Sequence, residues 1–260
     1  MVWALDLDGV VWLADTPIDG AADAVARLRA RGERVVFLTN NSAPTAADYT
    51  AKLGAMGMPT AVDDVLTSAQ AAAELLAPGD TALVCGGPGV VEALEARGVR
   101  VVWHGDADAV VVGWHRDFDF DRLAAATSAV RDGARLIGTN EDATYPTPTG
   151  LLPGGGSILA AVATASGAVP TVAGKPHDAM AVLVAHRVGA VDVLVGDRPS
   201  TDGLFARRLG ARFALVLSGV TIAAHLPVTP EPDEVAVTLA ALVERNEREP
   251  ATGTRRPRRR

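Results

Sequence analysis

Cysteine, lysine, long apolar runs and net positive charge are all scarce in this chain, and each shortage excludes something. A single cysteine, Cys85, allows no intramolecular disulfide, so a reducing, cytoplasmic compartment is expected. Cys85 itself reads as a small buried residue. No apolar run approaches the roughly 18 residues that a membrane span needs. A secretory leader is not expected either: the N-terminus has no basic region and carries Asp6 and Asp8 in its first apolar stretch. The net charge of -7 offers no global basic field to nucleic acid. The exception is Arg255-Arg256-Pro257-Arg258-Arg259-Arg260, which reads as a solvated, disordered terminus and otherwise as a nucleic-acid or membrane-surface tail. Only two lysines occur, Lys52 and Lys175, so a lysine inside a motif stands out.

What is present fits a folded α/β protein. Hydrophobic residues make up 48% of 260, enough for a sizeable core in one or two domains. Val2 to Leu7 reads as a buried strand, Asp19 to Arg31 as a helix, Arg34 to Leu38 as a strand and Pro44 to Met56 as a helix. The same alternation recurs through Thr81–Cys85, Pro88–Arg97, Val99–Trp103, Ala109–Gly113, Phe120–Arg131 and Arg135–Gly138. Ala143 to Gly156 is rich in Pro, Gly and Thr and is expected to be loop. Helices are expected over Ser157–Ser166, Asp178–Val188, Thr201–Leu209 and about Glu234–Glu244, with strands at Asp192–Val195 and Arg212–Leu217. This βα alternation calls for parallel sheets covered by helices.

Four clusters sit at strand ends, where parallel sheets bind their ligands. Asp6-Leu7-Asp8-Gly9 places two acids at a turn; alone, they also fit two solvated turn aspartates. Thr39-Asn40-Asn41 ends a strand ahead of a helix N-terminus, which suits an anion or a plain helix cap. Lys175, in Gly174-Lys175-Pro176, could neutralise a phosphate as a point charge or be a loop lysine. Gly196-Asp197-Arg198 repeats the first arrangement, and Asp202 follows where it could N-cap a helix. Asp6, Asp8 and Asp197 together would make an oxygen-rich site of the kind magnesium prefers. Gly86-Gly87-Pro88-Gly89 reads as a turn, and His115 as a surface residue without chemistry.

The order paired Asp, Thr, Lys, Asp resembles the haloacid dehalogenase superfamily. Its motifs match as Asp6-Leu7-Asp8-Gly9, Phe37-Leu38-Thr39-Asn40-Asn41-Ser42, Gly174-Lys175-Pro176 and Gly196-Asp197-Arg198-Pro199-Ser200-Thr201-Asp202. The short gap before Thr39 and the long gap after it resemble subfamily IIA, the branch of NagD-like, 4-nitrophenyl and phosphoglycolate phosphatases. Gly138-Thr139-Asn140-Glu141-Asp142, Tyr145-Pro146 and Gly150-Leu151-Leu152-Pro153-Gly154 resemble the same branch. The resemblance implies a Rossmann-like core at 1–68 and 172–247 and an inserted C2-type α/β cap at 69–171; the disordered basic tail expected at 248–260 lies outside it.

It also implies the chemistry: a magnesium-dependent phosphatase acting on a small phosphorylated metabolite. Sugar phosphates, glycerol phosphate, phosphoglycolate and nucleotides all stay open as substrates. Asp6 is the implied nucleophile and Asp8 the implied proton carrier. Dehalogenases of the superfamily lack an acid at the Asp8 position, because halide leaves unprotonated. Magnesium is implied on the Asp6 carboxylate, the Asp8 carbonyl and Asp197, with Asp202 orienting its waters. Thr39, Asn40, Asn41 and Lys175 are implied to hold the phosphoryl oxygens. Tyr145 is implied to touch the substrate, and the cap leaves room for a homodimer. The alternatives are a phosphotransferase or mutase, or a non-catalytic phosphate-binding or regulatory protein on the same fold.

Overall fold

The computed structural model describes residues 1–147 and 150–248. The tail expected at 248–260 therefore lies, from residue 249 on, outside the described residues. The chain opens with β1 (Val2–Asp6), a small hairpin of β2 (Trp12–Leu13) and β3 (Thr16–Pro17), and α1 (Ala21–Ala30). Then come β4 (Arg34–Thr39), α2 (Ala46–Ala55), β5 (Val65–Thr67) and α3 (Ser68–Ala73). Capping boxes start both of these last helices: Thr45 with Asp48, and Thr67 with Gln70.

A second module follows with β6 (Thr81–Cys85), α4 (Pro88–Ala96), β7 (Arg100–Val102), β8 (Ala109–Val112), α5 (Phe120–Arg131) and β9 (Arg135–Gly138). It continues through a hairpin of β10 (Thr144–Thr147) and β11 (Gly150–Pro153) into α6 (Gly155–Ser166) and β12 (Thr171–Val172). The chain then returns to the first module as α7 (Asp178–Arg187), β13 (Val193–Gly196), α8 (Leu204–Leu209), β14 (Arg212–Val216), β15 (Glu234–Ala236) and α9 (Leu239–Arg248).

Two parallel sheets result. The first runs β15-β14-β13-β1-β4-β5 and the second β12-β9-β8-β6-β7. The period of two is visible in the first sheet. Trp3, Leu5, Val35, Phe37, Val193 and Val195 pack on one face, with α1 and α9; Ala4, Val36, Leu38 and Leu194 pack on the other. Each buried Leu- or Val-sized side chain stabilises the fold by about 1.5–3 kcal/mol. Slipping β1 by one residue would exchange its two faces, so packing also fixes where Asp6 leaves the sheet.

The second face is not confined to the first module. Its apolar cluster runs from Val36 and Leu38 through Ala69, Ala72 and Ala73 of α3 into Val84, Val90, Leu94 and Val111. The alanine-rich helix α3 packs on both α4 and α7, so one short helix serves both sheets. Polar contacts add to this seam. The Ser42 and Thr139 hydroxyls lie 2.9 Å apart, and Asn140 donates through Nδ2 to the Asn40 carbonyl at 2.6 Å. Gly89 brings the start of α4 against the chain after β4: a Cβ there would stand 2.1 Å from the Pro44 carbonyl oxygen.

Several expectations need correction. Ala143 to Gly156 is not loop but the β10–β11 hairpin, which pairs Thr144 with Pro153 and Tyr145 with Leu152. Proline is compatible with such a two-stranded edge, where one lost N–H does not break a ladder. The segment from Glu234 is an edge strand, with Val235 paired to Leu215, and helix begins only at Leu239. Before α8 the chain makes a five-residue turn of wide, π-type helix over Pro199–Gly203. β2, β3, β5, α3 and β12 had no sequence counterpart, all being six residues or shorter. His115 is buried, not on the surface; its Nδ1 lies 2.9 Å from the Gly113 carbonyl and its ring meets Phe118 edge-on.

The seam yields a stability prediction. Gly89→Ala must displace backbone rather than a flexible side chain, so it should lower unfolding free energy by about 1–3 kcal/mol. Urea denaturation measures this, and an unchanged midpoint would mean the two segments are not held at this distance.

Candidate active site

Asp6 is the last residue of β1, at the carboxyl end of the first sheet. The chain then folds back tightly. The Leu7 carbonyl accepts the N–H groups of Val10, Val11 and Trp12, and the Gly9 N–H donates to the Trp12 carbonyl. Gly9 takes φ +89°, and a Cβ on it would stand 2.4 Å from Oδ2 of Asp197. Two requirements thus meet at one residue, left-handed backbone and the close approach of a carboxylate.

Lys175 and Asp197 arrive from other strand ends. Lys175 is 2% exposed and donates to Oδ1 of Asp6 at 2.8 Å and to Oδ1 of Asp202 at 2.7 Å. Burial alone would pull the ammonium's pKa down. Asp202 and Asp6 outweigh it and hold the group above its ordinary value. Asp202 also accepts the Arg198 N–H through Oδ2. It does not cap a helix by side-chain hydrogen bond; it anchors Lys175 and the turn that carries Asp197.

Asp197 is nearly fully buried. Its Oδ2 accepts the Val220 N–H, while its Oδ1 is buried with no hydrogen-bond partner. Desolvation, helped by the nearby Asp202, raises its pKa to about 7. Asp6 is raised too, by burial first, although Lys175 opposes the shift. Carboxylate oxygens of Asp6, Asp197 and Asp202 lie within 4.8 Å of one another.

These residues fit a divalent cation. Three carboxylates face one ammonium, so ionising all three leaves two negative charges uncompensated. An orphaned buried carboxylate oxygen is costly unless a cation or proton meets it. Both Asp202 oxygens are already engaged, so Asp6 and Asp197 are the acids with an oxygen to offer. Hard oxygen donors suit magnesium or calcium.

The remaining expected residues surround the same cavity. Asp6, Asp8, Thr39, Asn40, Asn41, Tyr145 and Lys175 all line it. Thr39 is buried, and its Oγ1 accepts the Asn41 N–H at 3.1 Å. Asn41 accepts the Ala43 N–H through Oδ1. The Asn40 amide is committed elsewhere. Its Oδ1 accepts the Lys175 N–H at 2.8 Å, and its Nδ2 donates to the Lys175 carbonyl and to Asp142, both at 3.0 Å. Asp8 sits at the cavity wall with its pKa raised, mainly by burial. Its Oδ1 accepts from Trp12 Nε1 at 3.2 Å and from the Tyr145 hydroxyl at 3.4 Å.

Sequence reasoning gave no site role to Trp114, Asp142, Thr144, Arg198 and Thr201, which also line the cavity. Arg198 reaches the Thr144 carbonyl at 3.3 Å and comes within 3.9 Å of Asp142. Trp114 donates to the Pro153 carbonyl at 2.9 Å and stacks at a tilt on Tyr145. Asp142 lies within the family-like segment 138–142, and Arg198 and Thr201 within 196–202, which was the available signal. Trp114 gave none beyond its place after a strand.

Comparison with known proteins gives the family. Residues 3–100 match the family model of haloacid dehalogenase-like hydrolases, and residues 172–242 match a HAD-hydrolase-like model. An acid sugar phosphatase of Staphylococcus saprophyticus is 34% identical over 227 residues, covering 84% of this chain and 87% of its own length. The D-glycerol 3-phosphate phosphatase of Mycobacterium tuberculosis is 39% identical over 226 residues; the match covers 84% of this chain but 63% of that relative's length. A crystal structure of glycerol phosphate phosphatase from Mycobacterium tuberculosis in complex with magnesium superposes with a TM-score of 0.84 at 36% identity, covering 93% of this chain and 75% of that one. No helix among the described residues is long and apolar enough to cross a membrane. On these matches, and on the four strand-end motifs that meet at one cavity, the chain belongs to the haloacid dehalogenase-like hydrolases.

Proposed function

We propose that this chain is a magnesium-dependent phosphatase of small phosphorylated metabolites, working through a phosphoaspartate on Asp6. The observation that carries the reading is Lys175, buried between Asp6 and Asp202, with a carboxylate oxygen of Asp197 within 4.8 Å of those acids. An oxygen of Asp6 attacks phosphorus, and the bond from phosphorus to the leaving oxygen breaks. Asp8 gives its proton to that leaving oxygen. Water then attacks the phosphoaspartate, Asp8 takes the water's proton, and the bond between phosphorus and Asp6 breaks to release phosphate. Asp6, the Asp8 carbonyl and Asp197 would hold magnesium, whose charge offsets that of the transferring phosphoryl group. Lys175, Thr39 and Asn41 are the groups best placed to hold phosphoryl oxygens. Asn40 serves instead by fixing the Lys175 main chain.

Residues 69–171 act, in this proposal, as a cap that narrows the cavity over the first module. Its wall supplies Asp142, Thr144 and Tyr145, and the first module adds Arg198 and Thr201. Hydroxyl-rich leaving groups suit such a wall, in line with relatives named for glycerol phosphate and sugar. A cytoplasmic location and a homodimer through the cap belong to the same proposal. Trp103 and Phe120, both on the 69–171 segment and both more than half exposed, offer apolar surface for the dimer.

Asp6→Asn should lower phosphate release from a polyol phosphate panel by about a thousandfold or more while keeping the melting temperature near that of the parent. Undiminished turnover would end the assignment. Asp197 yields a second expectation. Its folded pKa, about 7, lies above the unfolded value near 3.8. Its contribution to metal-free stability is therefore full below pH 3.8 and is lost as pH rises through 7. Magnesium compensates the ionised form, so it should raise the melting temperature more at pH 8 than at pH 5. Asp197→Asn should shrink that difference, leaving the part that Asp6 contributes. Equal shifts at both pH values in the parent protein would mean that Asp197 does not meet the metal.

A further inference from the structure

Asp8 is held asymmetrically. Its Oδ1 takes both hydrogen bonds given to its side chain, from Trp12 Nε1 at 3.2 Å and from the Tyr145 hydroxyl at 3.4 Å. Its Oδ2 takes no hydrogen bond among the described residues. The two donors come from different parts of the chain. Trp12 lies in β2, just past the turn after Asp8, and is 1% exposed. Tyr145 lies in β10, 137 residues from Asp8.

The indole is itself fixed. It stacks on Tyr49 with the rings 4° from parallel. The Lys52 ammonium sits 4.3 Å from its ring centroid, held there by the Ala14 carbonyl and the Asp15 carboxylate. On the Tyr145 side, Trp114 stacks on the phenol and is tied to the Pro153 carbonyl of β11. Two donors on one oxygen disfavour rotation of the carboxyl and exchange of its oxygens.

We infer that Trp12 and Tyr145 are positioning residues that fix Oδ1 of Asp8, so that Oδ2 is the oxygen that serves the leaving group. The inference rests on the reading of Asp8 as proton carrier. In the first step the proton on Oδ2 passes to the leaving oxygen as its bond to phosphorus breaks, while Oδ1 keeps both hydrogen bonds. In the second step the attacking water returns a proton to Oδ2. Because Tyr145 comes from the cap segment, the carboxyl is fully oriented only while the hairpin lies over the cavity. Proton transfer is thereby tied to cap position, since poorly oriented acids lose much of their effect.

Leaving-group dependence tests this. Glycerol 3-phosphate expels an alkoxide that must be protonated, whereas 4-nitrophenyl phosphate expels a stable phenolate. The quantity measured is kcat/KM, which reports events up to phosphorylation of Asp6. Trp12→Phe and Tyr145→Phe should each lower the ratio of kcat/KM for the alkyl over the aryl substrate by about tenfold. Asp8→Asn serves as reference and should lower the same ratio further. Tyr145→Phe is the safer variant for folding, and melting curves accompany both. An unchanged ratio in Tyr145→Phe and in folded Trp12→Phe overturns the inference, whether or not both rates fall together. If Asp8→Asn also leaves the ratio unchanged, the role of Asp8 fails as well, and the two failures are told apart.

Discussion

A single ammonium shared by two buried carboxylates organises this site. Removing Lys175 would leave Asp6 and Asp202 charged, buried and unpaired, which is among the costlier defects a protein interior can carry. The lysine does not complete the charge balance, however. With Asp6 and Asp202 both leaning on Lys175, Asp197 has only one main-chain N–H to lean on, and its other oxygen stays empty. The fold has thus gathered more negative charge at one point than it can neutralise from its own residues. The deficit matches the charge of the cation that the site is fitted to receive.

Neighbouring residues can be sorted by whether they hold charge or hold shape. Asn40 lines the cavity, yet its amide is consumed by Lys175 main-chain groups and Asp142. Asp202 looks like a further ligand by proximity, yet both its oxygens are occupied. These groups set the position of others. The two modules are likewise joined by more than a covalent crossover. The apolar cluster through α3 and the contacts of Asn40 and Ser42 with Asn140 and Thr139 fasten the second sheet to the loop that follows Thr39.

How much of this the sequence showed depended on where the information was local. Strand-end clusters were legible because an apolar run meets a polar residue at Asp6, Thr39 or Asp197, with Gly9, Asn40 or Gly196 close by. The β10–β11 hairpin was not, because Pro, Gly and Thr mark turns and edge strands alike. Glu234 to Ala236 resembled a helix start because three residues are too few to display a period of two; only pairing with β14 makes them a strand. His115 looked like a surface group because nothing beside it in the chain marks burial; in the fold its Nδ1 meets the Gly113 carbonyl and its Nε2 is buried without a hydrogen-bond partner among the described residues. The Tyr145 hydroxyl on Asp8 was invisible in principle, since the two residues meet only after both modules have formed.

The strand order of the first sheet also bears on how the molecule is made. β1 lies between β4, which follows it closely, and β13, which is about 190 residues away. A ribosome therefore delivers Asp6 long before the strand that flanks it on one side, β13. The second sheet is built from consecutive residues and can form while the chain is still growing; the first cannot close until β13 and β14 emerge. Until then Asp6 lies at an open sheet edge, without Lys175 and Asp197 beside it, and no partial product of synthesis carries a complete site.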